Sequence, residues 1–243
     1  MGARLKFVLL QARRAADPER EAERLLFADR LGVDPDQVVG HNLVESVPRA
    51  SFLNTHDAIL MGGSGDYYVS SGSFPEQERV FDVLRAVVDG PRPIFGSCFG
   101  FQMLTAALGG EVIHDPERME LGTYTIELTD AGQADEVFRV MPPSFPAQLG
   151  RKDRATRLPD GATHLAGSEL CPLQAFRYRD RPIWATQFHP ELDAATNLRR
   201  YMVYVENYEG HLSVAERSEV ASRFRESSAT TALLPRFLEI VFG

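Results

Sequence analysis

The chain has 243 residues, of which 44% are hydrophobic and 25% charged, a balance typical of one globular domain with a sizeable core. Its formal net charge of −8 argues against a nucleic-acid partner, and no apolar run approaches the ~20 residues that span a membrane. The N-terminus has no signal-peptide pattern, and the two cysteines, Cys98 and Cys171, have no metal-ligand spacing. We therefore expect a cytoplasmic protein with no metal or other cofactor, no nucleic-acid partner and no membrane partner.

The first hundred residues alternate between short apolar strands and helices. We predict strands at residues 5–11, 37–44, 58–61 and 94–95, and helices at residues 19–31 and 75–88. This alternation is typical of right-handed βαβ units and a parallel sheet. Such sheets bind their ligands at the carboxyl ends of the strands, where residues 62–63 and Cys98 fall.

The pattern changes between residues 111 and 183, where short alternating runs separated by Pro and Gly predict antiparallel strands. Further helices are predicted at residues 193–208, 214–224 and 231–241. We expect an α/β fold of the flavodoxin-like, three-layer type. Its mostly parallel central sheet would have helices on both faces and an antiparallel strand extension, all in a single domain over residues 1–243 with C-terminal helices from about residue 193.

Cys98 lies where strand 94–95 turns into a helix that the apolar spacing predicts and that Gly109 ends. Gly96 and Gly100 flank it, giving the cysteine version of the nucleophile elbow. A strand that turns at once into a helix leaves no room for side chains beside the nucleophile. Unpaired N–H groups and the helix dipole at such a position favour the thiolate form. The alternative is a buried core cysteine, which is the commonest fate of a free Cys.

A second apolar strand, within residues 182–188, leads to His189-Pro190-Glu191. A nucleophilic cysteine needs a base, and the base needs a third group to orient it. Glu191 is two residues beyond His189, so in extended chain the two side chains point to the same face. Taken alone, His189 is more simply a strand-end histidine beside a solvated glutamate, but its presence together with Cys98 favours the catalytic interpretation.

A glycine-rich turn, Gly62-Gly63-Ser64-Gly65, follows the strand at residues 58–61. It is not a phosphate-binding P-loop, because no Gly-Lys-Ser/Thr follows it. Such a turn can direct a backbone N–H at a developing oxyanion, although most strings of this composition are ordinary loops.

Together these three segments resemble the class I (triad-type) glutamine amidotransferase family, and in particular the glutaminase domain of GMP synthase. The family's Gly-x-Cys-x-Gly-x-Gln elbow corresponds to Gly96, Cys98, Gly100 and Gln102. Its closing motif, Gln-Phe-His-Pro-Glu, is present at residues 187–191, and Ser64 stands in place of the proline of its Gly-Gly-Pro turn. The resemblance spans about residues 5–205.

The resemblance implies a hydrolase in which Cys98 attacks a γ-glutamyl amide and forms a thioester. His189 would carry the proton to the leaving ammonia, and Glu191 would orient His189. The substrate would be glutamine or another γ-glutamyl small molecule. Because no Ser-Gly-Gly-x-Asp-Ser motif of a synthetase is present, we expect the ammonia acceptor site to lie on a separate synthetase partner.

The resemblance also implies roles for four backbone and side-chain groups around the thioester. The oxyanion would be held by the N–H groups of Gly63 and Phe99, and the bound glutamine would contact Gly65 and Gln102.

One segment departs from the family, because residues 150–153 read Gly-Arg-Lys-Asp where many members have Ser-His-x-Asp. Arg151 and Lys152 could receive the carboxylate of a longer γ-glutamyl ligand, although two solvated loop cations are the commoner arrangement. Two alternatives to the glutaminase therefore stay open, a γ-glutamyl peptidase with the same catalytic groups and a non-catalytic regulatory module with the same fold.

Overall fold

The structure is a computed structural model that describes residues 4–209, 213 and 219–243. Within these residues the strands, numbered β1 to β11, are Phe7–Gln11, Val38–Asn42, Ala58–Met61, Ile94–Ser97, Glu111–His114, Glu120–Leu128, Ser144–Arg151, Asp153–Arg157, Ala162–Gly167, Ala175–Tyr178 and Ile183–Thr186. The α-helices, numbered α1 to α7, are Glu19–Leu31, Ala50–Leu53, Gln77–Val88, Phe99–Ala107, Asp130–Ala134, Ala194–Glu209 and Leu233–Phe242.

Nine of the described strands form one sheet in the order β2-β1-β3-β4-β11-β10-β9-β6-β7. The neighbours from β2 to β11 are parallel, in the flavodoxin-like order, and those from β11 to β7 are antiparallel. Strands β5 and β8 pair separately. The predicted α/β fold with an antiparallel extension is confirmed, and this order places β4, which ends next to Cys98, between β3 and β11.

Apolar side chains cover both faces of the sheet, which gives the three predicted layers. Successive residues of a strand point to opposite faces. Phe7 and Leu9 of β1 accordingly pack in the core that contains α1 and α7, whereas Val8 and Leu10 pack in the core that contains α3 and α4. All five residues of β1 are buried, as expected for a parallel strand covered by helices on both sides.

The predicted elements of the first hundred residues are present with small changes at their ends. Helix 19–31 and strand 58–61 have the predicted bounds. The predicted strand at 37–44 is shorter, because a turn of 3₁₀-helix at Pro35–Gln37 precedes it. Helix α3 begins at Gln77 because Glu76 has a left-handed backbone conformation, with φ of 57°, that a helix cannot include.

The C-terminal elements agree in part with the sequence prediction. Helix α6 is present but kinked at Tyr204, whose φ and ψ are −109° and 15°. Helix α7 begins at Leu233 after a 3₁₀ turn. Of the predicted helix at 214–224, residues 214–218 lie outside the described residues, 219–220 are helical and 221–223 form a 3₁₀ turn. In the described part of the chain, no helix has both the length and the apolar character needed to cross a bilayer.

Candidate active site

Cys98 occupies a strained turn between β4 and α4. Its φ and ψ are 52° and −101°, in the positive-φ region that non-glycine residues rarely adopt, at a cost of about 1–3 kcal/mol. Two backbone hydrogen bonds hold it there, since its N–H donates to the carbonyl of Thr186 at 2.8 Å and its carbonyl accepts from the N–H of Gln102 at 3.1 Å. Strained residues of this kind cluster at functional sites, and this one carries the thiol.

The glycines on either side of Cys98 leave the space that the turn requires. A Cβ at Gly96 would lie 2.9 Å from Leu104 Cδ1 and 3.0 Å from the carbonyl carbon of Gly100. A Cβ at Gly100 would lie 2.5 Å from Cβ of Met61, on the neighbouring strand β3. The prediction that no side chain fits at these two positions is confirmed.

His189 and Glu191 form a buried pair that faces Cys98. The Nδ1 atom of His189 lies 2.6 Å from Oε1 of Glu191, and Ser97 Oγ donates to Oε2 of the same carboxylate at 2.9 Å. An ionised carboxylate only accepts, so Nδ1 carries the proton and Nε2 is the nitrogen left to interact with Cys98. The two residues lie in a turn beyond the end of β11, so their contact does not come from the extended-chain alternation that predicted it.

The charges of this group shift the pKa of His189 and of Glu191 in opposite directions. Burial alone would lower the pKa of His189, but the negative charges of Glu191 and Cys98 and the hydrogen bonds to both raise it to about 9. Burial alone would raise the pKa of Glu191, but the charge and hydrogen bond of His189 and the charge of Arg200 lower it. The arrangement therefore favours an imidazolium at His189 beside an ionised Glu191.

The two predicted oxyanion donors differ in whether their N–H groups already have a hydrogen-bond acceptor. Phe99 is the first residue of α4, so its N–H has no intrahelical acceptor. The N–H of Gly63, in contrast, donates to Oε1 of Glu23 at 2.9 Å. This N–H is committed to a carboxylate in this structure, which differs from the open donor that the sequence motif suggests.

Glu23 belongs to a buried cluster of charged side chains that the sequence motifs did not indicate. Arg13 donates to both oxygens of Glu23, from Nη2 at 2.7 Å and from Nε at 3.0 Å. Nη1 of Arg200 lies 3.6 Å from Oε1 of Glu191 and 3.5 Å from Nδ1 of His189, and its Nη2 lies 3.8 Å from Oε1 of Glu23. These residues come from three parts of the chain, just beyond β1, in α1 and in α6, separated too widely for a local pattern to predict.

One small cavity adjoins the thiol and a second adjoins His189. The first, of about 20 Å³, is lined by Cys98, Phe99, Gly65, Gln102, Tyr67 and Tyr68 among others. The structure thus brings both predicted substrate contacts, Gly65 and Gln102, next to Cys98. The amide nitrogen of Gln102 already donates to the carbonyl of Asp153 at 3.2 Å and to Oε1 of Gln187 at 3.1 Å, so only its carbonyl oxygen is left for a ligand.

The second cavity, of about 10 Å³, is lined by His189, Ser64 and Gly150 among others. Leu121, Tyr201 and Tyr204 close it, and Tyr204 packs so tightly on Gly65 that a Cβ at this glycine would lie 2.3 Å from the ring. The cavity has roughly the volume that one water molecule needs.

The expectation of two solvated cations at residues 151 and 152 is wrong for Arg151. This guanidinium is buried, and its Nε and Nη2 donate to Oε2 of Glu120 at 2.9 and 2.6 Å. Glu120 and Arg151 face each other across β6 and β7, which explains the pairing. Lys152 Nζ donates to the carbonyl of Asn207 at 2.7 Å. The Arg151 side chain is thus part of the sheet's interior rather than a solvated loop cation.

Cys171, the second cysteine, is buried against the carbonyl of Leu173 with Sγ 3.5 Å away, and burial raises the pKa of its thiol. This is the packing role that an apolar context predicts. Over residues 4–209, 213 and 219–243, no group of three His, Cys, Asp or Glu side chains is placed to hold a metal ion.

Two solved structures with the same fold are described as glutamine amidotransferases. One from Thermotoga maritima superposes with a TM-score of 0.72 over 97% of each chain at 21% identity. Another, from Methylobacillus flagellatus, gives a TM-score of 0.70 over 98% of this chain and 95% of that one at 18% identity. At such identities the comparison establishes the shared fold.

Sequence comparison gives more specific relatives. The chain is 30% identical over 118 residues to one of the subunits of the glutamine-hydrolysing GMP synthase of Methanocaldococcus jannaschii, covering 49% of this chain and 61% of that protein. It is 34% identical over 136 residues to the protein of the same name from Methanosarcina mazei, covering 55% and 68%. The family model for glutamine amidotransferase class-I matches residues 36–203, more than half of the chain. The chain therefore belongs to the class-I glutamine amidotransferase family.

Proposed function

We propose that this protein hydrolyses the side-chain amide of glutamine, with Cys98 as nucleophile, His189 as proton carrier and Glu191 as the group that orients His189. The observation that supports the proposal most strongly is the buried chain of contacts from Glu191 through His189 to a thiol held at positive φ. An activated nucleophile needs a base within hydrogen-bond reach and a third group behind the base, and the interactions of His189 with Glu191 and Cys98 support these roles.

The reaction follows from these positions. The thiolate of Cys98 attacks the γ-carbonyl carbon, and a carbon–sulfur bond forms while the carbonyl oxygen becomes an oxyanion. When the carbon–nitrogen bond breaks, the proton of the His189 imidazolium passes to the nitrogen and ammonia leaves. Water then attacks the thioester, gives its proton to His189, and releases glutamate with the thiolate restored.

We assign the cavity lined by Gly65 and Gln102 to the γ-glutamyl group, and the cavity beside His189 to the leaving amine. The second assignment follows from the chemistry, because the group that protonates the leaving nitrogen must lie beside it. The oxyanion would be held by the N–H groups of Phe99 and Gly63, and the latter would first have to leave Glu23. One such donor is worth about 2.7–4 kcal/mol of transition-state stabilisation.

The size of the leaving-group cavity favours glutamine over γ-glutamyl peptides. About 10 Å³ beside His189, with Tyr201 and Tyr204 in its wall, is room for one molecule the size of water or ammonia. The bonds between Arg151 and Glu120 point the same way, since this guanidinium is already neutralised and a longer ligand's carboxylate would have to compete with Glu120 for it.

We further propose that the ammonia serves a separate partner enzyme. The relatives from Methanocaldococcus jannaschii and Methanosarcina mazei are named as subunits of a glutamine-hydrolysing GMP synthase. A synthetase subunit that docks on the face bearing Cys98 is the partner we expect, and the isolated chain should be a slow glutaminase.

A competition assay tests the proposal. Purified protein is incubated with glutamine, γ-glutamylalanine and glutathione, and ammonia and glutamate are measured for wild type and Cys98→Ala. We expect a higher kcat/KM for glutamine than for either peptide, and no release by the variant. Faster hydrolysis of the peptides would indicate a γ-glutamyl peptidase. No hydrolysis of any substrate, with Cys98 reduced and accessible to alkylation, would indicate a regulatory module.

A further inference from the structure

The peptide between Gly62 and Gly63 is held at both ends. The carbonyl of Gly62 accepts from the N–H of Gly100 at 3.0 Å, and the N–H of Gly63 donates to Glu23 at 2.9 Å. Gly100 lies in the first turn of α4, two residues after Cys98, so the carbonyl points toward the helix that begins at the thiol. The N–H points the other way, toward α1. An oxyanion donor has to point at the position beside the sulfur, but here the N–H of Gly63 is turned to Glu23 and it is the carbonyl of Gly62 that faces α4.

Glu23 is held firmly in the position that receives this N–H. It is fully buried, and besides Gly63 it accepts from Nε and Nη2 of Arg13 and from Nε2 of Gln11 at 3.0 Å. Burial alone would raise the pKa of Glu23, but the charge and hydrogen bonds of Arg13, the charge of Arg200 and the bond from Gln11 lower it to about 2. The carboxylate is therefore ionised at neutral pH, and its bond to Gly63 is charge-assisted.

The packing around the peptide restricts the movement to the peptide itself. A Cβ at Gly62 would lie 2.6 Å from Cδ of Glu23, and one at Gly63 would lie 3.0 Å from Cε1 of His189. The carboxylate and the imidazole thus pack directly on these two glycines. Because neither residue has a side chain, the peptide between them can turn over, whereas Glu23 would have to abandon the buried charge of Arg13 to move away.

We infer that Glu23 is a positioning residue that holds the Gly62–Gly63 peptide in its resting orientation, and that turnover requires this peptide to turn over and release Glu23. The inference rests on the proposed function, since it assigns Glu23 a part in forming the oxyanion hole of that reaction. In the resting orientation only the N–H of Phe99 is available. The strength of the bond from Gly63 to Glu23 then sets how often the second donor is in place, and so limits kcat without changing how glutamine binds.

The test weakens this bond while keeping the shape of the site. Glu23→Gln leaves an acceptor of the same size but without charge, and a charge-assisted bond is about twice as strong as a neutral one. We expect kcat for glutamine to rise about tenfold with KM unchanged. Glu23→Asp keeps a carboxylate beside Arg13, but its shorter side chain withdraws the charge from Gly63, so this variant should also raise kcat. It replaces Glu23→Gln in the test if the Gln variant does not fold.

Glu19→Gln is the matched control. Glu19 is a buried carboxylate on the same helix, four residues before Glu23, and it lies 3.5 Å from Nε of Arg200 without contacting Gly63. Its kcat should stay within about twofold of wild type. The rate at which iodoacetamide alkylates Cys98 provides a second readout, because alkylation needs the thiolate but no oxyanion hole. This rate should be the same in wild type and in both Glu23 variants.

A purely structural role for Glu23 would lower kcat or change the alkylation rate. Folded Glu23→Gln or Glu23→Asp protein with kcat at or below that of wild type would overturn the inference while leaving the proposed glutaminase intact. If wild type and all variants fail to hydrolyse glutamine, the proposed function itself fails, and the inference falls with it.

Discussion

The strands β3 and β11, on either side of β4, both end near Cys98, but the groups that follow them differ in how they are oriented toward the thiol. On the β11 side, His189 and Glu191 are hydrogen-bonded to each other and face the thiol, as the proposed reaction would require. On the β3 side, the N–H of Gly63 donates to Glu23 and therefore points toward α1 rather than toward the thiol. For the proposed reaction, one flank has the contacts that the chemistry needs and the other does not.

The difference follows from where each flank obtains its contacts. The pair on the β11 side comes from residues two positions apart, and Ser97, next to the nucleophile, completes it. The turn on the β3 side takes its orientation from a carboxylate 40 residues earlier in the chain, on α1. The His189–Glu191 motif is short enough to set its own contacts, whereas the orientation of the Gly62–Gly63 turn depends on residues from elsewhere in the chain.

The largest effect is expected at the nucleophile, which both flanks serve. Cys98→Ala should lower kcat for glutamine by about 10⁴-fold or more, because no other group can form the thioester. The matched control is Cys171→Ala, at the other cysteine of the chain. It removes a buried sulfur and should cost about 1 kcal/mol of stability, with kcat within about twofold of wild type. Ammonia release and urea denaturation measure the two effects. Equal loss of activity in both variants would contradict the assignment of Cys98.

The β11 flank is tested next by Glu191→Gln. The amide can still bond to the imidazole but favours the wrong tautomer and removes the charge behind it, so kcat should fall about 10³- to 10⁴-fold. Asp193→Asn is the control, since Asp193 caps α6 and pairs with Arg30 without contacting His189. Its activity should stay within a few-fold of wild type. A similar loss in both variants would indicate general damage to this turn.

The same variant tests the electrostatics of His189. The pKa of this imidazole is raised from 6.5 to about 9. Its contribution to stability is therefore complete below pH 6.5 and is lost as the pH rises through about 9. NMR titration of the His189 ring should show a midpoint near pH 9 in wild type, and a lower one in Glu191→Gln, where the negative charge is gone. A midpoint near 6.5 in wild type would contradict the ion-pair arrangement.

The β3 flank is tested by a pair of substitutions at Gly63. Gly63→Pro removes the N–H and should lower kcat about 100-fold, which corresponds to one oxyanion donor. Gly63→Ala keeps the N–H but adds a Cβ that would lie 3.0 Å from Cε1 of His189 and would hinder the peptide's movement, so a loss smaller than that of Gly63→Pro is expected. Equal activities of the two variants would remove the Gly63 N–H from the reaction and would leave only Phe99 as donor.

A smaller effect than that of Gly63→Pro is expected for Ser97→Ala. The Ser97 hydroxyl donates to Oε2 of Glu191 at 2.9 Å, whereas His189 contacts the other oxygen of that carboxylate. Loss of one hydrogen bond to a buried charged group should lower kcat about tenfold. Unchanged kcat would show that the His189–Glu191 pair keeps its geometry without Ser97.

The sequence predicted the parts of this protein whose signals are local. The helix at 19–31, the strand at 58–61 and the glycine-flanked turn at Cys98 follow from periodicity and backbone sterics alone, and the structure has all three. The contact between His189 and Glu191 was also predicted, although the residues form a turn rather than extended chain.

The sequence could not predict the buried charges that meet from distant elements. Glu23 looks like one of several carboxylates on an amphipathic helix, and only the packing of α1 beside β1 and β3 places it on Gly62 and Gly63. From the sequence alone Arg151 resembles a loop cation, but the pairing of β6 with β7 places Glu120 opposite to it. In both cases the partner is far along the chain, so the burial of the charge is a property of the fold.

The formation of a thioester by Cys98 is the central claim, and labelling with 6-diazo-5-oxo-norleucine, an electrophilic mimic of glutamine, tests it most directly. Intact-mass analysis of the wild-type protein should show a single adduct, peptide mapping should place it on Cys98, and Cys98→Ala should show none. Glutamine added in excess should slow the labelling. An adduct on Cys171 with Cys98 unmodified, or labelling that glutamine does not slow, would contradict the account.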